Sequence, residues 1–211
     1  SKLAKNSSTS RAIGAAPVVG GSAGRPMVYF VTEKGGIYAV PAASSMGPQP
    51  ELSWSRSAYG RIVSDPVLYE DSLLVGAESG ELWSINRVTG TVEWIHYSGK
   101  PIVKSAWASG NHAYFVNPDG FHALDRGDAE SVGGVKLWTY EGQGEFIVRR
   151  PEAVYVHLGE GLVAALDPES GQELRTAQFP EGTVFLANPM DAIFYAVAPS
   201  GLVYAIDVPL F

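Results

Sequence analysis

Short apolar runs recur along the whole chain, and five of them begin at a glycine-bearing turn and end at Asp, Asn or Pro. In Glu81-Leu82-Trp83-Ser84-Ile85, Leu82 and Ser84 fall on one face and Trp83 and Ile85 on the other. That period-two pattern belongs to a strand with two distinct faces. No segment sustains a 3.6-residue spacing, so an almost wholly β protein is expected. The surrounding stretch lays out one complete unit. Pro66 to Tyr69 is a first strand, Glu70-Asp71 a turn, and Ser72 to Gly76 a second strand. Glu78-Ser79-Gly80 leads into the third strand, and Val88-Thr89-Gly90 turns into a fourth, Thr91 to Ile95. Four strands joined by tight turns make one antiparallel sheet.

The third strand of that unit returns five times. It reads Gly35-Gly36-Ile37-Tyr38-Ala39-Val40-Pro41, Gly80 to Asn86, Asp119 to Asp125, Gly161 to Asp167 and Gly201 to Asp207. The closing positions 41, 86, 125, 167 and 207 are 45, 39, 42 and 40 residues apart. A strand-type repeat of this period marks a β-propeller, with one four-stranded blade per repeat. Each third strand carries a small residue (Ala39, Ser84, Ala123, Ala165, Ala205) where close packing against a neighbouring blade is expected. Trp54, Trp94 and Trp138 occupy one equivalent place on the fourth strands, where the fourth repeat has Arg175. These three indoles are expected to dock blade on blade, burying a large area and placing the N–H on a partner.

The repeats run over residues 15–211, and residues 1–14 read as a tail or as a closing outer strand. The fifth repeat stops at Phe211 without a fourth strand. Matching Leu3-Ala4-Lys5 to Leu52-Ser53-Trp54 would supply that strand from the N-terminus and remove an exposed sheet edge. The pattern thus leaves two forms open, a closed five-bladed ring and part of a larger propeller.

The pattern of a glycine turn, an apolar third strand ending in Asp or Asn, a Thr-Gly or Ser-Gly hairpin and then Trp resembles the quinoprotein-like (PQQ-like) repeat. Gly80 to Trp94 and Gly161 to Arg175 match it best. The resemblance implies three kinds of relative: quinoprotein dehydrogenases, BamB-type outer-membrane assembly lipoproteins, and extracytoplasmic sensor domains of membrane kinases. For a dehydrogenase it implies a catalytic Asp, a calcium held by Glu and Asn, and in many members an adjacent cysteine pair. The chain has no cysteine. Asp125, Asp167 and Asp207 recur with the repeat, as turn-forming residues do, whereas a catalytic residue should occur once. No catalytic, cofactor-binding or metal-binding residue is therefore assigned, and no enzyme activity or cofactor is expected.

Composition narrows the partners. The 211 residues carry a net charge of -7 and no basic run longer than Arg149-Arg150, which argues against binding a nucleic acid backbone. No apolar stretch is long enough to span a membrane as a helix. The absence of cysteine fits, without requiring, a periplasmic or other extracytoplasmic setting, with any lipid anchor on a segment not present here. The four histidines are scattered, and only His112 and His122 lie on successive strands of one blade. Gly20 to Gly24 has no helical pattern behind it to make a phosphate cradle and reads as a mobile loop. Asn6-Ser7-Ser8 matches a glycosylation sequon, a pattern that also arises by chance.

Two insertions replace the tight hairpin after the third strand, Pro41 to Pro50 in the first repeat and Arg126 to Gly134 in the third. Both fall on the same rim of a propeller, where recognition loops are placed. Pro41, Met46, Pro50, Arg126, Asp128 and Glu130 are the candidate partner-binding residues. The expectation is a non-enzymatic propeller that binds protein partners, with a small-molecule sensor domain as the alternative and a quinoprotein dehydrogenase fragment as a further one.

Overall fold

A computed structural model describes residues 13–22, 25–42, 52–128, 131–187 and 193–207. Every regular element among them is a β-strand. The strands form five antiparallel sheets in strict chain order. The first sheet contains β1 (Val18–Ser22), β2 (Arg25–Val31), β3 (Gly36–Pro41) and β4 (Trp54–Ser57). The second contains β5 (Val67–Tyr69), β6 (Ser72–Gly76), β7 (Glu81–Asn86) and β8 (Val92–Tyr97), and the third β9 (Trp107–Ser109), β10 (His112–Asn117), β11 (Gly120–Asp125) and β12 (Val135–Tyr140). The fourth holds β13 (Glu145–Arg149), β14 (Val154–Gly159), β15 (Leu162–Leu166) and β16 (Glu173–Gln178). The fifth has three described strands, β17 (Val184–Ala187), β18 (Ile193–Val197) and β19 (Val203–Asp207). This is the sheet-by-sheet construction of a β-propeller, and the five recurring phrases are its third strands.

The chain divides into two compact units, Ser1–Ala106 and Trp107–Phe211. In the first unit, Tyr29, Val31, Ile37, Ala39 and Trp54 of the first sheet pack on Leu73, Val75, Trp83 and Ile85 of the second. In the second unit, Tyr114, Phe121, Ala123 and Trp138 of the third sheet pack on Val154, Val156, Ala164 and Leu166 of the fourth. The fourth sheet's opposite face, with Tyr155, Val163 and Ala165, packs on Phe194, Ala196 and Ile206 of the fifth. Within each unit the first strands lie side by side, β1 with β5, β9 with β13 and β13 with β17. On the fifth sheet, Val184, Leu186 and Tyr195 share an exposed face, whereas the equivalent Tyr155 is buried.

The small residue of each third strand has a definite purpose in the register. Ala39, Ser84 and Ala123 stand directly opposite Trp54, Trp94 and Trp138, and Ala165 stands opposite Arg175. In the second, third and fourth sheets a bulge follows this pair at once. All three indoles are buried. Trp54 Nε1 donates to the Arg87 carbonyl at 3.0 Å, and Trp138 Nε1 to the Pro168 carbonyl at 2.8 Å. Each acceptor lies in the hairpin of the following sheet. The glycine of that hairpin receives the ring: a Cβ on Gly90 would come within 2.5 Å of Trp54, and one on Gly171 within 2.5 Å of Trp138. These glycines also hold φ of 71° and 70°, a region other residues rarely enter. The Thr-Gly and Ser-Gly signals are therefore at once turn residues and indole seats.

One local expectation is corrected. Gly20, Gly21 and Ser22 are not loop but belong to β1, paired with Met27, Pro26 and Arg25. Gly20 is needed for close approach, since a Cβ there would lie 2.5 Å from Leu68 Cδ1 of the adjoining sheet. The segment Leu3-Ala4-Lys5, invoked for closure, lies outside the described residues, as does the rest of 1–12.

Candidate functional site

The turn-forming residues act on their own backbone. Asn86 Oδ1 accepts from the amides of Val88 and Thr89 at 3.1 and 3.0 Å and from the Thr89 hydroxyl. Asp167 Oδ1 repeats this with the amides of Glu169 and Ser170 at 3.1 and 2.8 Å and with Ser170 Oγ. The Ser170 bonds hold the Asp167 carboxyl below its ordinary pKa, because each stabilises the ionised form. Asp125 Oδ1 accepts from Gly127 N at 2.8 Å and Asn111 Nδ2 at 2.7 Å. These carboxylates are committed to local structure, which is a poor fit to a quinone–calcium site.

In the third sheet's insertion, between β11 and β12, the described residues brace one another. Its ends are closed by Gly134 N donating to the Asp125 carbonyl at 2.7 Å. Asp128 Oδ1 accepts from the amide and hydroxyl of Ser131 at 2.8 and 2.9 Å. Arg126 Nη1 donates to the Gly110 carbonyl at 2.8 Å, tying the loop to the end of β9. Gly127, at φ 75°, has no room for a Cβ, which would meet Gly133 N at 2.4 Å. Beyond these bonds Val132 is an apolar side chain 80% exposed. Pro41 ends β3 opposite Met27 and is half-buried. Met46, Pro50 and Glu130 lie outside the described residues.

The histidines do not converge. His112 pairs with Asp125 and His122 with Phe115, three steps apart along the ladder. An odd number of steps places them on opposite faces, so they cannot share a metal. Burial and, next, the Arg149 charge push the His112 pKa down. His122 is buried and stacks on Phe115 at 4.6 Å, with Nε2 2.7 Å from Asn117 Oδ1 and Nδ1 2.9 Å from Thr139 Oγ1. Among the described residues no three His, Asp or Glu side chains are grouped as metal ligands.

Sequence reasoning missed Glu81. This buried carboxylate accepts from Tyr59 N at 3.1 Å, Ser79 Oγ at 3.2 Å and Trp83 Nε1 at 3.1 Å, all on Oε2. It fastens the chain leaving the first sheet to the start of β7. Its signal was a charge at the first position of a third strand where three other repeats have glycine or leucine. Tyr140 shows a smaller version of the same device. Its hydroxyl donates to Glu173 Oε2 at 2.8 Å, and burial, then this carboxylate, push it up to about 12.

The sheet series and its indole docking define a repeat propeller, and known proteins resemble it in sequence over part of the chain and in fold over most of it. Residues 2–96 match the family described as outer membrane protein assembly factor BamB. BamB from Moraxella catarrhalis superposes with a TM-score of 0.64 at 18% identity, over 90% of this chain and 57% of that one. A computationally designed protein gives 0.65 at 14% identity, over 90% and 57%. A quinohemoprotein alcohol dehydrogenase from Pseudomonas putida HK5 gives 0.60 at 14% identity, over 93% and 40%. No curated protein matches the sequence significantly. The chain is a β-propeller that resembles BamB, in sequence over residues 2–96 and in fold over most of its length, and it spans 57% of the length of the BamB structure. Among the described residues no helix is long and apolar enough to cross a membrane.

Proposed function

We propose that this chain is a non-enzymatic, extracytoplasmic interaction scaffold, similar in kind to BamB, that engages a protein of outer-membrane assembly. The observation that carries this reading is the family match over residues 2–96. The contact surface is the end of the sheets where third strands pass to fourth strands. The part of it that the described residues show is the insertion between β11 and β12, with Arg126, Asp128 and Val132. The bonds that hold Arg126 and Asp128 in place lower the conformational entropy lost on binding, and the exposed Val132 supplies apolar area to cover.

The dehydrogenase alternative is disfavoured by the missing cysteine pair and by the local commitments of Asp125 and Asp167. It is tested by adding pyrroloquinoline quinone and calcium to the purified protein. The expected absorbance spectrum is the sum of the separate components. A shifted quinone band with saturable stoichiometry would restore the enzyme reading. A sensor role draws support from a different feature, a cavity beside the fifth sheet.

A further inference from the structure

What recurs in every repeat builds the fold, so a departure confined to one blade is where a separate activity belongs. His157 is such a departure. It pairs with Val163, and the matching second-strand positions are Val31, Gly76, Val116 and Val197. Val31 and Val116 pack in sheet-to-sheet cores, whereas the fourth repeat sets an imidazole there. Its Nε2 atom is buried and makes no hydrogen bond among the described residues. A buried polar atom without a partner forfeits free energy that a ligand's hydrogen bond recovers.

Beside His157 a cavity of about 280 Å³ lies between the fourth and fifth sheets. Phe146, Ile147, Val184 and Phe185 give it apolar walls, and Glu145, His157 and Thr183 line it as well. The strand geometry that shapes it is also particular. Register shifts fall between Phe146 and Val148 on β13 and between His157 and Gly159 on β14, on either side of the Glu145–His157 pair. Bulges of this kind re-aim side chains beside functional sites, and β5 and β9 pair without one. The Phe185 ring lies 4.9 Å from the imidazole and meets Phe179 edge-on at 5.2 Å.

The lining chemistry selects a ligand class. The buried Thr183 donates its hydroxyl hydrogen to the Pro180 carbonyl at 2.6 Å, which leaves its lone pairs to accept. The His157 Nε2 atom donates or accepts according to where the imidazole proton sits. A ligand hydroxyl suits both groups, because it donates once and also accepts, and it meets the imidazole in either form. Glu145 already interacts with another group and is left out of the ligand's contacts. None of the lining residues is Lys or Arg, so no cation stands there to hold an anionic ligand. A neutral ligand fits best, and the rings of Phe146 and Phe185 favour an aromatic body in offset or edge-on contact. The volume sits at the small end of ligand pockets, which suits a single ring. We propose that this cavity binds a phenol group, carried either by a free small molecule or by a tyrosyl side chain of a polypeptide. This assignment stands independently of the scaffold reading.

The test is a titration of the intact protein, followed by NMR through the ring signals of His157 and Phe185. The probes are p-cresol, toluene and a blocked Gly-Tyr-Gly peptide. Saturable movement of both rings with p-cresol is expected, with toluene, which lacks the hydroxyl, about tenfold weaker or more, the worth of one hydrogen bond to a buried group. His157→Val installs the side chain of Val31, Val116 and Val197 and should weaken p-cresol about tenfold while the melting temperature holds. The toluene comparison needs no variant and decides the matter even if that substitution perturbs the fold. Tighter binding of the peptide assigns the polypeptide source, and tighter binding of p-cresol the free phenol. Absence of saturation with both phenols, toluene binding as tightly as p-cresol, or unchanged affinity in a folded His157→Val variant overturns the proposal.

Discussion

Truncating Trp138 to alanine should destabilise the Trp107–Phe211 unit by about 3–5 kcal/mol, the usual range for emptying a buried aromatic site. The indole is 6% exposed, its N–H is held by Pro168, and its ring rests on Gly171. All three are lost together, and the Pro168 carbonyl is left without that donor. Urea denaturation measures the effect. Gly171→Ala supplies the control that tests the geometry rather than the burial alone. In the parent, its Cβ must displace the ring, costing roughly 1–3 kcal/mol for overpacking. In the Trp138→Ala background that part of the cost should disappear, giving a coupling energy of opposite sign to the two single effects. Additive effects would mean that ring and glycine do not touch in solution. Trp94 belongs to the same series by position and burial, and its truncation should fall in the same range.

Glu81→Ala should be the second large effect, at roughly 3 kcal/mol, from one buried and one part-buried donor orphaned at about 1–3 kcal/mol each. These are Trp83 Nε1 and Tyr59 N. Glu81→Gln keeps an oxygen in reach of the same donors and should cost less than half as much. The order of midpoints in urea, parent above Gln above Ala, checks this. An alanine variant as stable as the parent would show that water reaches those donors.

The fold was legible because the third strand recurs five times and three blades set its small residue opposite a tryptophan. In two of them a glycine of the next hairpin lies under the indole, so Ala39, Trp54 and Gly90 left the same trace as Ala123, Trp138 and Gly171. Gly20 misled because a glycine chosen for close approach to Leu68 looks the same in sequence as one chosen for a flexible loop. Glu81 and the Glu145–His157 pair were hidden for the opposite reason. Each occurs once, and its meaning depends on groups contributed by other strands. The Tyr59 amide lies 22 residues from Glu81, and Phe185 reaches His157 from the following sheet. Aligning the repeats position by position would have exposed His157 among Val31, Gly76, Val116 and Val197, though not the bulges that open the cavity beside it.

The scaffold reading stands or falls on what touches the β11–β12 loop in the cell envelope. A photo-crosslinking residue placed at Val132, which is exposed and lies outside the Asp128–Ser131 bonds, reports that contact directly. Mass spectrometry of the adducts should identify a protein of the outer-membrane assembly machinery, and moving the probe to the buried Ala123 should abolish the adduct. Efficient crosslinking confined to proteins unrelated to that machinery, or no adduct from position 132 in a folded, envelope-localised protein, would contradict it.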